Sequence, residues 1–211
     1  MKTIKSIRPF LCASVCAPAL SGTPLLAGSL EIEPVADAVV LQAEPDSNRG
    51  NDGAIWAYSG PNGDTGDAAK SYISFRLPAG SFDAARFVGL YTAKRDRGAE
   101  IWMLEDGANW DEASITWNNA PGNDTSSSYL LAGSALRIGD IGGKGPGNET
   151  ELVFADANAE SLFLDALNER AGKTITLVIV QKPYAQASTF TLASKENPAH
   201  TPPRLILETR D

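Results

Sequence analysis

The 211-residue chain predicts an all-β protein, a jelly-roll-like antiparallel β-sandwich with one short helix. Three observations carry that expectation. Short apolar runs separated by clusters of Gly, Pro, Asn and Asp recur along most of the chain, as in sandwiches and barrels. Only one segment spaces its apolar residues by three and four over a helical length. No internal repeat is visible, which removes solenoids and propellers.

Residues 1–27 differ in kind from the rest. Lys2, Lys5 and Arg8 make a positive start, 9–20 is a short apolar run, and 21–28 is rich in small residues with a possible cut near Ala27. This is the pattern of a secretory signal peptide, too short in its apolar part to span a bilayer. Residues 28–211 are then one domain, secreted or held at the cell surface. The two cysteines, Cys12 and Cys16, both fall in the leader, and Val15 before Cys16 argues against a lipid anchor. Without thiols or disulfides the domain must be stabilised by its core, for which about 180 residues suffice.

Strands are expected at 35–42, 55–58, 71–77, 86–93, 100–104, 114–117, 136–139, 151–154, 174–181, 189–192 and 204–208. The turn-rich stretches 61–67 and 142–148 connect them. The exception is 156–172, where Ala159, Leu162, Phe163, Ala166 and Leu167 form one stripe, with Asp156 or Asn158 as N-cap and Gly172 as the stop. That helix should lie across an end of the sandwich.

The formal net charge of −8, more negative once the basic leader is removed, disfavours nucleic acid and anionic membranes as partners. An acidic ligand would need positive charge concentrated at one place. Catalytic signals are thin. His200 is the single histidine, and no G-x-S-x-G, P-loop or dinucleotide fingerprint is present. A carboxylate pair for glycoside hydrolysis or a Tyr and Arg pair for lyase chemistry is the surviving catalytic option, supported by no spacing.

The most distinctive stretch runs Trp110-Asp111-Glu112-Ala113-Ser114-Ile115-Thr116-Trp117-Asn118-Asn119-Ala120-Pro121. Ser114, Thr116 and Asn118 alternate as in a strand, which the following Asn119-Ala120-Pro121 stops. Trp110 and Trp117 should act as two wedges on one core.

This stretch resembles the W-x-E-x-x-[VI]-T-W-N-N-x-P signature of DNRLRE-type β-sandwich domains, secreted bacterial modules that include alginate-binding carbohydrate-binding modules. Three further landmarks follow in the group's order. Ala36-Asp37-Ala38-Val39-Val40 precedes Asn48-Arg49-Gly50, with Arg49 in place of an aromatic residue. Lys70-Ser71-Tyr72-Ile73-Ser74-Phe75-Arg76-Leu77 matches the next strand, with Arg76 where the pattern prefers Asp. Phe190 to Glu196 and Pro202-Pro203-Arg204-Leu205 match its end.

The resemblance implies a non-catalytic carbohydrate-binding module, a monomer whose leading ligand is alginate or another acidic polysaccharide. The alternatives are a structural or adhesive cell-surface protein without a glycan ligand, and a small polysaccharide lyase or hydrolase. Alternation along 70–77 puts Ile73, Phe75 and Leu77 on one face and Lys70, Tyr72, Ser74 and Arg76 on the other. The second row suits a uronic-acid chain, and Lys94, Arg95 and Arg97 could extend it. Trp56, Tyr58 and Trp102 are further platform candidates. The competing reading has Lys70 and Arg76 simply paired with surface acids.

The loop 46–53 has the oxygen-rich character of a Ca²⁺ loop but is not an EF-hand, because Ala57 stands where the bidentate Glu would be. Resemblance to β-sandwich binding modules nominates Asp37, Asn48 and Glu196 for a structural Ca²⁺ between the first and last strands. An Asx-capped turn without metal is the alternative.

Overall fold

A computed structural model describes residues 28–61, 66–92, 97–106, 109–142, 145–182 and 188–209. The expected signal peptide, including both cysteines, lies outside the described residues, as do Lys94 and Arg95. The strands are β1 (Gly28–Ile32), β2 (Ala36–Leu41), β3 (Ala54–Ser59), β4 (Ala69–Arg76), β5 (Phe82–Leu90), β6 (Ala99–Leu104), β7 (Ala135–Ile141), β8 (Glu149–Phe154), β9 (Thr174–Gln181), β10 (Ser188–Ala193) and β11 (Arg204–Thr209), with α1 (Ala157–Glu169) between β8 and β9.

All the pairings are antiparallel, in the order β1-β11-β5-β8-β7-β6-β9-β4-β3-β10, with β2 also on β4. The path curls into a sandwich, and the rings of Phe75 on β4 and Phe87 on β5 meet edge-on across the core at 6.1 Å. Strand β8 joins the two layers. Its Glu149–Glu151 half pairs with β5, and its Leu152–Phe154 half has crossed to β7.

Strand β9 reads as an almost continuous apolar run because both of its faces are covered. Ile175, Leu177 and Ile179 join the main core, while Val178 and Val180 join a second cluster with Ala38, Val40, Tyr72, Ile115 and Trp117. That second cluster lies on the outer face of β2, β4 and β9, beneath the long β6–β7 connection. Burying one large side chain such as Trp117 contributes about 1.5–3 kcal/mol, so the cover holds down the connection as well as the sheet.

Two expectations need correction. Residues 114–117 are not a strand, because side chains of the segment bond its own main chain: Asp111 accepts from Ala113 N–H at 3.1 Å and Asn119 from Thr116 N–H at 2.7 Å. Both Trp wedges nevertheless pack, Trp117 fully buried and Trp110 half-buried against Tyr72. Strand β1 was not expected, since its residues are mostly exposed and lack alternation; pairing with β11 makes it.

The helix is shorter than 156–172. Asp156 caps it by accepting from Ala159 N–H at 2.8 Å, and Ala159, Phe163 and Leu167 form its buried stripe. Leu162, assigned to that stripe, is exposed. Gly172 follows the helix at φ +74 and donates to Pro78 O at 2.9 Å, turning the chain into β9.

Candidate functional site

The outward row of β4 is mostly covered, which corrects the expected exposed aromatic and cationic face. Lys70 and Tyr72 are both 0% exposed. The β6–β7 connection lies over them because its Asn, Asp and carbonyl groups can satisfy a buried ammonium. Lys70 Nζ donates to Asn123 Oδ1 at 2.5 Å, to Asp124 O at 3.0 Å and to Tyr129 O, and stands 4.4 Å from the Trp117 ring centroid. Burial lowers Lys70 to about 7, while three acceptors favour the ammonium, which alone carries three protons. Tyr72 donates to Pro121 O at 3.1 Å, and burial pushes its phenol up. Ser74 shares a 3.0 Å hydrogen bond with Thr176, which accepts from Trp110 Nε1 at 3.1 Å.

Arg76 alone of that row is exposed. Sequence reasoning missed its neighbours, since they come from other elements. The turn after α1 brings Arg170 and Lys173 to the same end of the sheet, where β9 starts opposite Arg76. Together with Asp106, Asn109 and Thr174 these three cations line a polar pocket of about 380 Å³. Arg170 is held by donating to Ala166 O at 3.2 Å and Glu105 O at 2.6 Å, beside the negative end of the helix. Arg76 and Lys173 have no ion-pair partner among the described residues, so the pocket carries a positive excess over Asp106. An adjoining hollow of about 330 Å³ contains the Trp110 indole and shares Asn109 with it.

The remaining nominated cations are not brought together. Arg97 is exposed, but its carbonyl accepts from Gln181 Nε2 at 3.0 Å, near the Lys70 end of the sheet. Six residues of strand separate Lys70 from Arg76, roughly 20 Å. Lys94 and Arg95 lie outside the described residues. Of the platform candidates, Trp102 is half-buried and donates to Glu100 at 3.1 Å, while Trp56 and Tyr58 flank a small hollow with Asp67.

The nominated metal residues come together in part. Asp37 and Glu196 meet Glu112, with one carboxylate oxygen of each within 4.8 Å of the others. Asn48 stands beside them and is engaged with the main chain. Its amide donates to Glu112 O at 2.7 Å and Ile115 O at 2.9 Å and accepts from Gly50 N–H at 3.3 Å, clamping the main chain that carries Glu112. Gly50 is required there because a Cβ would overlap the Glu112 carbonyl. Arg49 is tied to Glu44 at 2.7 Å and Asp52 at 3.2 Å. Glu112 is the acid of the W-x-E signature, so the signal that could have found it was already in the sequence.

Within the cluster, Glu112 Oε1 accepts from Asp37 N–H at 2.6 Å, and Asp37 Oδ2 accepts from Lys195 N–H at 2.8 Å. The Lys195 ammonium bridges Glu112, at 2.9 Å, and Glu196. Burial opposes that charge, but hydrogen bonds to Glu196 and Glu112 outweigh it and raise Lys195. Asp37 is pushed up to about 7, chiefly by burial, with the Glu196 and Glu112 charges adding to it against the Lys195 N–H bond. Glu196 Oε2 is buried without a partner. Three carboxylates, one orphaned oxygen and one ammonium fit a hard divalent cation that would displace the lysine.

A family model described as carbohydrate-binding module family 96 matches residues 29–135, just over half of the chain. The match includes Asp37, Arg76 and the whole Trp110–Pro121 signature. No curated protein matches the chain.

Proposed function

Because the chain belongs to carbohydrate-binding module family 96, a family of non-catalytic modules, we propose that it binds an acidic polysaccharide, alginate or another polyuronate. The observation that carries this reading is the convergence of Arg76, Arg170 and Lys173 in one pocket beside Trp110. A uronate carboxylate can take bidentate hydrogen bonds from a guanidinium, and an adjacent sugar ring can lie on the indole. Local concentration of cations answers the objection raised by a net charge of −8.

Family membership leaves no role for a lyase or hydrolase reading. The leader-like composition of 1–27 supports secretion or display at the cell surface, and the ordered landmarks support the DNRLRE-type grouping; the module acts as a monomer. A structural Ca²⁺ held by Asp37, Glu112 and Glu196 ties the start of the domain to its end. The metal's role is to neutralise the buried carboxylates.

Affinity electrophoresis against polyuronate, sulfated and neutral polysaccharides tests the glycan reading. Retardation by the acidic glycans, lost in an Arg76→Ala, Lys173→Ala double variant that keeps its melting temperature, is the expected result. No retardation by any glycan would instead favour a structural or adhesive surface protein.

A further inference from the structure

We propose that the cleft between β5 and β8 is a docking slot for an extended, basic polypeptide segment of a partner protein, which pairs with β5 as an added strand. The slot is independent of the glycan pocket. Strand β5 has β11 along one edge, but along the other it has β8 only at Val88–Leu90 before β8 crosses to β7. From Ala84 to Arg86 that second edge has no strand partner among the described residues.

The direction of the free groups follows from Tyr91, just past the end of β5, whose N–H donates to Asn148 O at 3.0 Å and whose C=O accepts from Gly147 N–H at 2.8 Å, both on the β8 side. At the start of β5, beyond a register shift between Ala84 and Phe82, the Asn168 side-chain amide accepts from Phe82 N–H at 2.7 Å and donates to Phe82 O at 3.0 Å, as the main chain of a neighbouring strand would. Main-chain groups point to the same side at every second residue of a strand. Ala85 therefore presents its N–H and C=O to the cleft, while Ala84 and Arg86 point to β11. Asn168 closes one end of the slot and the β5–β8 pairing closes the other.

The cleft has a volume of about 690 Å³. Inward-facing Ala85 and Leu152 line it together with outward-facing Ala84 and Val153, so it is an opening between strands, not a hollow on one face. Helix α1 floors it, with Phe163 6.0 Å from Phe154. Val153 is 67% exposed, the highest value among the described large hydrophobic residues. An unpaired edge beside exposed apolar surface is the arrangement that strand addition uses.

The rim defines the occupant's charge. Glu151, Glu160 and Glu208 surround the cleft. Arg86 reaches Glu151 only at 3.4 Å, and Glu160 and Glu208 have no ion-pair partner among the described residues. A partner strand with small apolar side chains toward Val153 and Lys or Arg toward these acids complements both features.

The probe is an acetylated, amidated Lys-Val-Lys-Val-Lys-Val peptide titrated into ¹⁵N-labelled protein. Shifts centred on Ala84–Arg86 and Val153 are expected, with affinity falling about tenfold or more in an exposed Glu160→Lys, Glu208→Lys variant. Peptides N-methylated at alternate residues, or with Glu for Lys, should not bind. Shifts elsewhere, no shifts at millimolar peptide, or equal binding by the N-methylated form would overturn the proposal. Hydrogen exchange tests the edge itself without a peptide. The Ala85 amide should exchange much faster than those of Ala84 and Arg86, and equal protection would refute the open edge.

Discussion

Glu112 Oε1 accepts the main-chain N–H of Asp37 at 2.6 Å, although the two residues are 75 positions apart. Asp37 reaches on to Lys195 N–H at 2.8 Å. One carboxylate pair thus joins the first part of the domain, the β6–β7 connection and the segment before β11. These contacts bury Asp37 beside the Glu196 and Glu112 charges, and both the burial and those charges disfavour its ionised form.

The metal-free protein should lose stability as pH rises from about 4 to 8 on account of Asp37. Its folded value, about 7, lies above its ordinary 3.8. The folded state therefore holds the proton more tightly, and the stabilisation is present below 3.8 and lost as pH rises through about 7. Calcium requires the carboxylate, so its effect on melting temperature should be larger at pH 8 than at pH 5. At a hundredfold excess over its dissociation constant it should add about 2.7 kcal/mol, roughly 5–10 °C. Melts with calcium and with EDTA at both pH values measure this, and identical melts at pH 8 would remove the metal reading.

Gly50→Ala should destabilise the domain by about 1–3 kcal/mol, since its Cβ must displace the Glu112 carbonyl. The calcium effect should shrink with it because Glu112 moves. Urea titration with and without calcium reports both quantities. A variant as stable as the parent would show that this close approach is not needed.

Lys70→Met should cost about 2–4 kcal/mol, because Asn123 Oδ1, Asp124 O and Tyr129 O lose their buried donor. The damage should be local to the cover over the second core. Trp117, 4.4 Å from the lost ammonium, is the natural reporter. Its fluorescence and the protease sensitivity of 109–134 should change before global unfolding. An undisturbed cover would mean that the lysine is not its anchor.

Glycan binding at the Arg76 pocket should weaken with salt, since it depends on partly exposed charges. Arg76→Ala and Lys173→Ala should each lower affinity by about threefold to tenfold at low salt, with melting temperatures within about a degree. Arg170→Ala should lower both affinity and stability, because its guanidinium also binds Ala166 O and Glu105 O. Isothermal titration at two salt concentrations, paired with melts, separates these outcomes.

The chain's local signals determined most of the architecture. Period-two alternation on β4, the unbroken apolar run of β9 and the Asp156-capped stripe of α1 follow from local spacing, which a single sequence carries. The Trp110–Pro121 signature pointed to a carbohydrate-binding module, as the family match bears out, and already contained Glu112, but not the partner of that acid.

What tertiary structure decided was which face of each element remains free. Lys70 and Tyr72 alternate with core residues as surface groups do, yet a connection whose Pro121 and Asn123 stand 49 and 53 positions further along covers them, and no property of the strand itself announces that. Exposure depends on long-range packing, whereas alternation depends only on the pleat. The same reason hid the cationic pocket. Arg76, Arg170 and Lys173 are brought together by β4 pairing with β9 and by a helix that ends where β9 begins, and only the folded chain closes that distance.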